Sequence, residues 1–126
     1  MTANEYLSKF KLFNTVIKQL EQERQSLVAF VNGEYPKRKD HVLSLLKDVE
    51  EIIHTTTESR NRIITQIQGV DNDNFRNVIV LRYMYDLNFE DIARELKFSN
   101  VYARKLHSKA LKGFESQYPE ILQQEV

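Results

Sequence analysis

The strongest constraint on the fold of this chain is the stretch 89–111, which has the pattern of two helices joined by a tight turn. Apolar residues occupy the positions where two such helices contact each other: Ile92, Leu96, Phe98, Ala103 and Leu106. Ala93 lies where the helices would cross, and a larger side chain would push them apart. Asn88 and Ser99 can each cap a helix, because a side-chain oxygen can accept a backbone N–H of the first turn. The pattern predicts a helix-turn-helix.

The charge of the chain is unevenly distributed although its net value is zero. Residues 1–73 contain 10 Lys/Arg and 11 Asp/Glu (net −1), residues 74–114 contain 8 and 4 (net +4), and residues 115–126 contain none and 3 (net −3). No acidic residue lies between Glu95 and Glu115, whereas five basic ones do: Lys97, Arg104, Lys105, Lys109 and Lys112. A solvated basic face is the alternative explanation. Together with the helix-turn-helix spacing, however, this local charge favours nucleic-acid binding.

Composition indicates an all-α protein of one domain, or of a small domain with an extension. The 126 residues are 41% hydrophobic and 29% charged, with only three Gly and two Pro. The absence of Cys excludes disulfides and thiolate metal sites. The first residues lack the features of a signal peptide, and no apolar run approaches the roughly 18 residues of a membrane span. We therefore expect a soluble, cytoplasmic protein that needs no cofactor and does not bind a membrane.

Two long amphipathic segments precede the helix-turn-helix, at about 5–32 and 38–68. In both, apolar residues recur in steps of three and four, which predicts a coiled-coil-like helical hairpin. The segment 33–36 separates them, and Pro36 disfavours a helical Tyr35. The hydroxyl-rich run 54–59 is a weak point, where a kink or break is compatible with the sequence. We predict a hairpin over 1–69, a DNA-binding domain over 70–114 and an acidic, partly helical or frayed tail over 115–126.

Two short motifs and the helix 99–111 resemble region 4 of bacterial sigma-70 factors; the motifs are Leu81-Arg-Tyr-Met and Phe89-Glu-Asp-Ile-Ala-Arg-Glu-Leu. The resemblance is closer still to short phage and prophage proteins of the ArpU/RinA-like group, whose domain ends in a pattern similar to Leu106-His-Ser-Lys-Ala-Leu. This resemblance implies a DNA-binding transcriptional regulator of a phage or prophage. It also implies that residues following the capping Ser99 face the major groove. Carried to this chain, the resemblance predicts as DNA-contacting residues Asn100, Val101, Tyr102, Arg104, Lys105, Ser108 and Lys109. Two further candidates for phosphate contacts are Ser99, at the N-terminal end of the helix, and the basic Lys112.

Side-chain chemistry suggests a role for each member of this set. Arg104 suits a bidentate contact with guanine and Asn100 a contact with adenine. The lysines Lys105, Lys109 and Lys112 suit phosphates, which position a helix without reading sequence. Tyr102 suits a phosphate or a thymine methyl group, with packing against the preceding helix as the alternative.

Three further residues have expected structural roles. Arg82 is expected to pair with Glu90 or Asp86 within the domain rather than to contact DNA. His107 is expected to be structural rather than a ligand. Lys97 stands at a turn position that often holds Gly, which predicts a strained backbone there.

Several functions remain open on the sequence alone. Sequence-specific regulation of transcription is the leading hypothesis, with an N-terminal hairpin that forms a homodimer or docks on a partner. A protein adaptor that binds RNA polymerase without reading bases is the second, and a small-terminase type of DNA-packaging subunit is the third. An enzyme is not expected, because no His has a partner at the spacing of a zinc-binding helix and no Gly-rich phosphate loop is present.

Overall fold

The computed structural model describes residues 1–33 and 38–124, and within these ranges it contains helices joined by short turns and no β-strand. Five α-helices follow one another: α1 (Ala3–Val31), α2 (Lys39–Gln68), α3 (Asp73–Ile79), α4 (Phe89–Leu96) and α5 (Asn100–Gln117). A π-helical turn, Val80–Met84, extends α3, and a 3₁₀ helix, Pro119–Gln123, follows α5. The all-α fold class predicted from the sequence is confirmed. The expected effect of Pro36 on Tyr35 falls outside the described residues.

The chain forms two compact units. One, the hairpin unit, is Leu12–Asn61; the other, the terminal unit, combines Met1–Lys11 with the chain from Arg62 onward. Helices α1 and α2 each run from one unit into the other. The start of the predicted segment 1–69 therefore shares a compact unit with the predicted segment 70–114. The three segment boundaries themselves remain a prediction.

The core of the terminal unit is made by both ends of the chain. Its fully buried side chains include Leu7 of α1, Ile63 and Ile67 of α2, Val78 and Ile79 of α3, Ile92 of α4, and Phe114 of α5. The rings of Tyr6 and Phe114 lie 6.2 Å apart, and the backbone N–H of Ala3 donates to Oε1 of Glu115 at 2.9 Å. The first turns of α1 thus close the core that supports α5.

Helix α5 continues to Gln117, beyond the predicted end of the DNA-binding domain at residue 114, and Gly113 lies inside it. A Cβ atom at this position would stand 3.1 Å from the ring of Phe75 in α3, so glycine permits a close approach of the two helices. The tail beyond it is partly helical, as expected. Ile121 is fully buried, and the Tyr118 hydroxyl donates to the carbonyl oxygen of Gln66 at 2.9 Å.

Within the hairpin unit, α1 and α2 run antiparallel. Arg60 donates to the side chain of Asn14 at 3.1 Å, and Arg24 pairs with Glu50 at 3.3 Å. From the first contact to the second, the position advances by about ten residues along α1 and goes back by about ten along α2, so both contacts belong to the same antiparallel register. Most of the apolar stripe in this unit is only half-buried.

Helix α2 continues without interruption through the predicted weak point at 54–59. The hydroxyls of Thr55 and Ser59 donate to carbonyl oxygens one turn earlier, on Glu51 and Thr55, at 3.2 and 3.1 Å. These hydroxyls therefore find partners inside the helix and do not divert its backbone.

Truncating Leu7 should destabilise the terminal unit far more than truncating Leu12 of the same helix. Leu7 is fully buried, whereas Leu12 is 57% exposed. Leu7→Ala should cost about 2–5 kcal/mol, the usual range for a buried leucine, and Leu12→Ala less than about 0.5 kcal/mol. Urea unfolding followed by circular dichroism measures both changes. Equal costs would contradict the participation of α1 in this core.

Candidate nucleic-acid interface

Both predicted helix caps are confirmed. The Asn88 side chain accepts from the backbone N–H of Asp91 at 2.9 Å and begins α4. The Ser99 hydroxyl accepts from the backbone N–H of Tyr102 at 3.1 Å and begins α5. Each cap satisfies a donor that the first helical turn would otherwise leave without a partner. The turn between α4 and α5 is therefore fixed at both ends by polar side chains.

The packing between α4 and α5 follows the expected pattern. Ile92 and Ala103 are fully buried, and Ala93 and Leu106 are only 3% and 4% exposed. Leu96 and Phe98, which flank the turn, are half-buried. The small residues Ala93 and Ala103 allow the helices to cross closely.

Lys97 ends α4 in the left-handed region, with φ 60° and ψ 41°. This confirms the strain expected from a non-glycine residue at the turn. The conformation costs an ordinary L-residue about 1–2 kcal/mol, and here the turn into Ser99 imposes it.

Lys97→Gly should stabilise the domain by about 0.5–1 kcal/mol, because the relief of strain exceeds the extra backbone entropy that glycine loses on folding. Lys97→Ala removes the same charge and keeps the strain, so it is the matched control and should give little gain. Chemical denaturation of the two variants measures the difference. If the glycine variant were no more stable than the alanine variant, the backbone at Lys97 would not be strained.

The nine predicted DNA-contacting residues all have exposed side chains: Ser99, Asn100, Val101, Tyr102, Arg104, Lys105, Ser108, Lys109 and Lys112. The opposite side of α5, at Ala103, Leu106, Ala110 and Phe114, is buried in the terminal unit. None of the ion pairs among the described residues involves a basic residue of α5. The exposed face therefore offers several cations that can meet an external anion. The individual contacts with DNA remain a prediction.

Two exposed apolar residues stand at the start of this face. Val101 is 64% exposed. The Tyr102 ring lies edge-on to the Phe98 ring, at 4.7 Å between centroids, and is still 43% exposed. Tyr102 thus packs against a residue of the turn between α4 and α5, and this contact restricts the directions in which its ring can reach.

A contact between Arg82, Phe89 and Arg104 was not foreseen from the sequence. The guanidinium carbons of Arg82 and Arg104 lie over the Phe89 ring, at 4.6 and 4.7 Å from its centroid. Arg82 also donates to the carbonyl oxygen of Leu87 at 3.0 Å. Among the described residues it forms no ion pair with Glu90 or Asp86, so the expected pairing is wrong. No local spacing rule connects an aromatic residue with arginines on two other elements.

A polar network lies beside this contact. The Tyr83 hydroxyl donates to Oδ1 of Asn4 at 2.7 Å and lies 2.8 Å from Nε2 of His107. Because the hydroxyl hydrogen points to Asn4, its oxygen accepts from Nε2, which places the hydrogen of neutral His107 there. Burial raises the pKa of Tyr83 to about 12. Burial, and secondarily the Arg82 charge, lowers the pKa of His107. These contacts support the structural role predicted for His107.

The terminal unit should lose stability as the pH falls below the ordinary histidine pKa of 6.5. His107 then protonates in the unfolded chain before it does so in the folded one, so acid favours unfolding. Above that pH the contribution of His107 is fully present. His107→Gln should remove this part of the pH dependence, and His54→Gln, at an exposed histidine, should leave it. Thermal melts from pH 8 to pH 5 test the pair, and identical pH profiles for the two variants would contradict the account.

A capped, basic and exposed helix that crosses a second helix over small residues defines a helix-turn-helix DNA-binding domain. Residues 72–113 match the family Sigma-70, region 4. The chain therefore carries a sigma-70 region 4 domain, and this match covers α3, the π-helical turn, α4 and most of α5. No curated protein and no solved structure matches the chain. No helix in the described residues has the length and apolar character needed to cross a membrane.

Proposed function

We propose that this protein is a sequence-specific DNA-binding transcriptional regulator, encoded by a phage or prophage, that inserts residues 99–111 into the major groove. The observation that carries the proposal is the exposed face of α5. It contains no carboxylate, and it belongs to a domain that matches sigma-70 region 4. Phosphate contacts would supply most of the affinity, and base-edge contacts would supply the specificity. We further propose that it acts in the bacterial cytoplasm, without enzymatic activity or cofactor.

The α4–α5 geometry supports insertion of a rigid helix. The Ser99 cap and the buried Ala93 and Ala103 hold α5 against α4, so the exposed side chains are positioned before DNA arrives. Preorganisation of this kind lowers the entropy lost on binding. Asn100 at the first position of the helix and Val101 beside it would approach the base edges. An exposed valine suits the methyl group of thymine.

A homodimer through the hairpin unit is part of this proposal. One helix-turn-helix offers few phosphate contacts, whereas two linked copies bind two half-sites with much greater affinity. The hairpin unit supports this, since its apolar stripe is half-buried and Leu45 and Ile52 of α2 are 41% and 48% exposed. These two aliphatic side chains lie two turns apart on one side of the helix. A second copy of the chain would cover them.

Replacing Arg104 and Lys105 together with alanine should weaken specific DNA binding by about 10- to 100-fold, the range for losing a bidentate base or phosphate contact. The matched control is Arg38→Ala/Lys39→Ala, an identical exposed Arg-Lys pair at the start of α2. Fluorescence anisotropy with fragments from the surrounding genome measures both variants. The wild-type affinity should fall with salt by about 0.9 log units per phosphate contact for each tenfold rise in salt concentration.

The alternatives give different results in the same experiments. No DNA binding at low salt, together with capture of RNA polymerase, would support a polymerase-binding adaptor and contradict the proposal. A solution mass of eight or more copies, which a small terminase would show, would also contradict it. A dimer that Leu45→Glu/Ile52→Glu converts to a monomer would support the proposed assembly.

A further inference from the structure

A basic cleft lies beside α5 in the terminal unit. We define it by Asn4, Arg82, Phe89, Arg104, His107 and Ser108, and its volume is about 460 Å³. It is thus built from α1, the π-helical turn, α4 and α5. None of its lining residues is acidic.

The two arginines of the basic cleft share one aromatic ring. Both guanidinium carbons lie over Phe89, whose π electrons attract each cation. This shared contact places two like charges within about 9 Å of each other. No ion pair in the described part of the chain neutralises either of them, and the nearby Asp86 is paired with Lys11 at 2.7 Å. An anion entering the cleft would therefore relieve a repulsion that the fold itself creates.

The remaining residues of the cleft contribute polar groups without adding negative charge. The Ser108 side chain stands one helical turn beyond Arg104 on the exposed face of α5. The Asn4 amide is held by Tyr83, which in turn contacts His107. Arginine N–H groups beside a hydroxyl and an amide are suitable donors for the several oxygens of a phosphate group.

We propose that the basic cleft binds a phosphate group of the DNA backbone, at the edge of the groove that α5 enters. This inference rests on the proposed DNA-binding function and adds Asn4 and Arg82 to the interface. The Arg104 guanidinium lies over Phe89 at the start of α4, a direction that favours contact with the DNA backbone over contact with a base edge. We therefore assign Arg104 a phosphate contact, in place of the guanine contact expected from the sequence. Arg104 and Ser108 belong to the face that meets DNA, so the backbone supplies the phosphate in preference to a free anion.

Single methylphosphonate substitutions test this proposal, because each replaces one charged phosphate oxygen with a neutral methyl group. The DNA is a duplex selected by the wild-type protein from a random pool, and anisotropy measures affinity. At one or two adjacent positions the substitution should weaken wild-type binding about tenfold. The Arg104→Ala variant should bind the unmodified duplex more weakly, and its affinity should no longer change when the phosphates at those positions are substituted. The slope of its log affinity against log salt concentration should be shallower by about 0.9, the value for one phosphate contact.

Three controls keep the outcome unambiguous. Arg94→Ala changes an exposed arginine of α4 outside the cleft, and it should retain the full methylphosphonate sensitivity. Asn4→Ala should reduce the sensitivity, and its folding is checked by circular dichroism. Inorganic phosphate is titrated into the free protein while the imidazole signals of His107 are followed by NMR.

Two results would overturn the phosphate contact. The first is that the wild type and the Arg104→Ala variant bind DNA with the same sensitivity to methylphosphonate at every position. It would be decisive if Arg104→Ala also relaxed the preference for one guanine. The second is tight binding of inorganic phosphate in the cleft by a protein whose DNA binding shows no coupling, which would make the cleft a site for a free anion. Both leave DNA binding intact and so differ from failure of the proposed function, in which no duplex is bound at all.

Discussion

Burial of the first turns of α1 against α5 is the interaction on which the rest of the terminal unit depends. Leu7 and Phe114 are fully buried, and the Tyr6 ring contacts Phe114. A region of 42 residues, as matched by the family, is short for a stable hydrophobic core, because small domains bury a small fraction of their surface. This chain enlarges the core by using residues from its two ends. The position of α5, and hence of its exposed face, follows from that packing.

The same packing brings residues of α1 to the functional face. Asn4 lies in the first turn of α1, and its neighbours Ala3 and Leu7 are buried in the core. The side chain of Asn4 therefore meets Tyr83 and, through it, His107. Any change that loosens the start of α1 would alter both the stability of the domain and the shape of the basic cleft. Fold and function are linked here through a few neighbouring residues.

Local patterns predicted much of the fold and of the interface. Helix periodicity, the caps at Asn88 and Ser99 and the strained Lys97 depend on neighbours within a few residues, and the sequence displays these directly. The eight exposed residues predicted on α5 follow from the same periodicity. What could not be predicted depends on distant partners. Phe89 gathers two arginines from other elements, and glycine at position 113 leaves room for the Phe75 ring of α3.

The location of the tail, residues 115–126, also depends on distant partners and could not be predicted from the sequence. Its charge suggested an acidic segment separate from the basic domain. Ile121 is instead buried in the terminal unit, and Tyr118 bonds to the end of α2. Net charge alone gave no sign of this, because one buried apolar residue determines the location of the segment. Deleting residues 117–126 would therefore remove part of the core as well as negative charge.

We propose that DNA meets the exposed face of α5, on a unit that the start of α1 completes. Chemical-shift mapping of the ¹⁵N-labelled protein during titration with its selected duplex tests this claim most directly. The largest changes should occur at Asn100–Lys105 and at Asn4, with small changes over residues 12–61. Changes concentrated in 12–61, or spread evenly over both units, would contradict it.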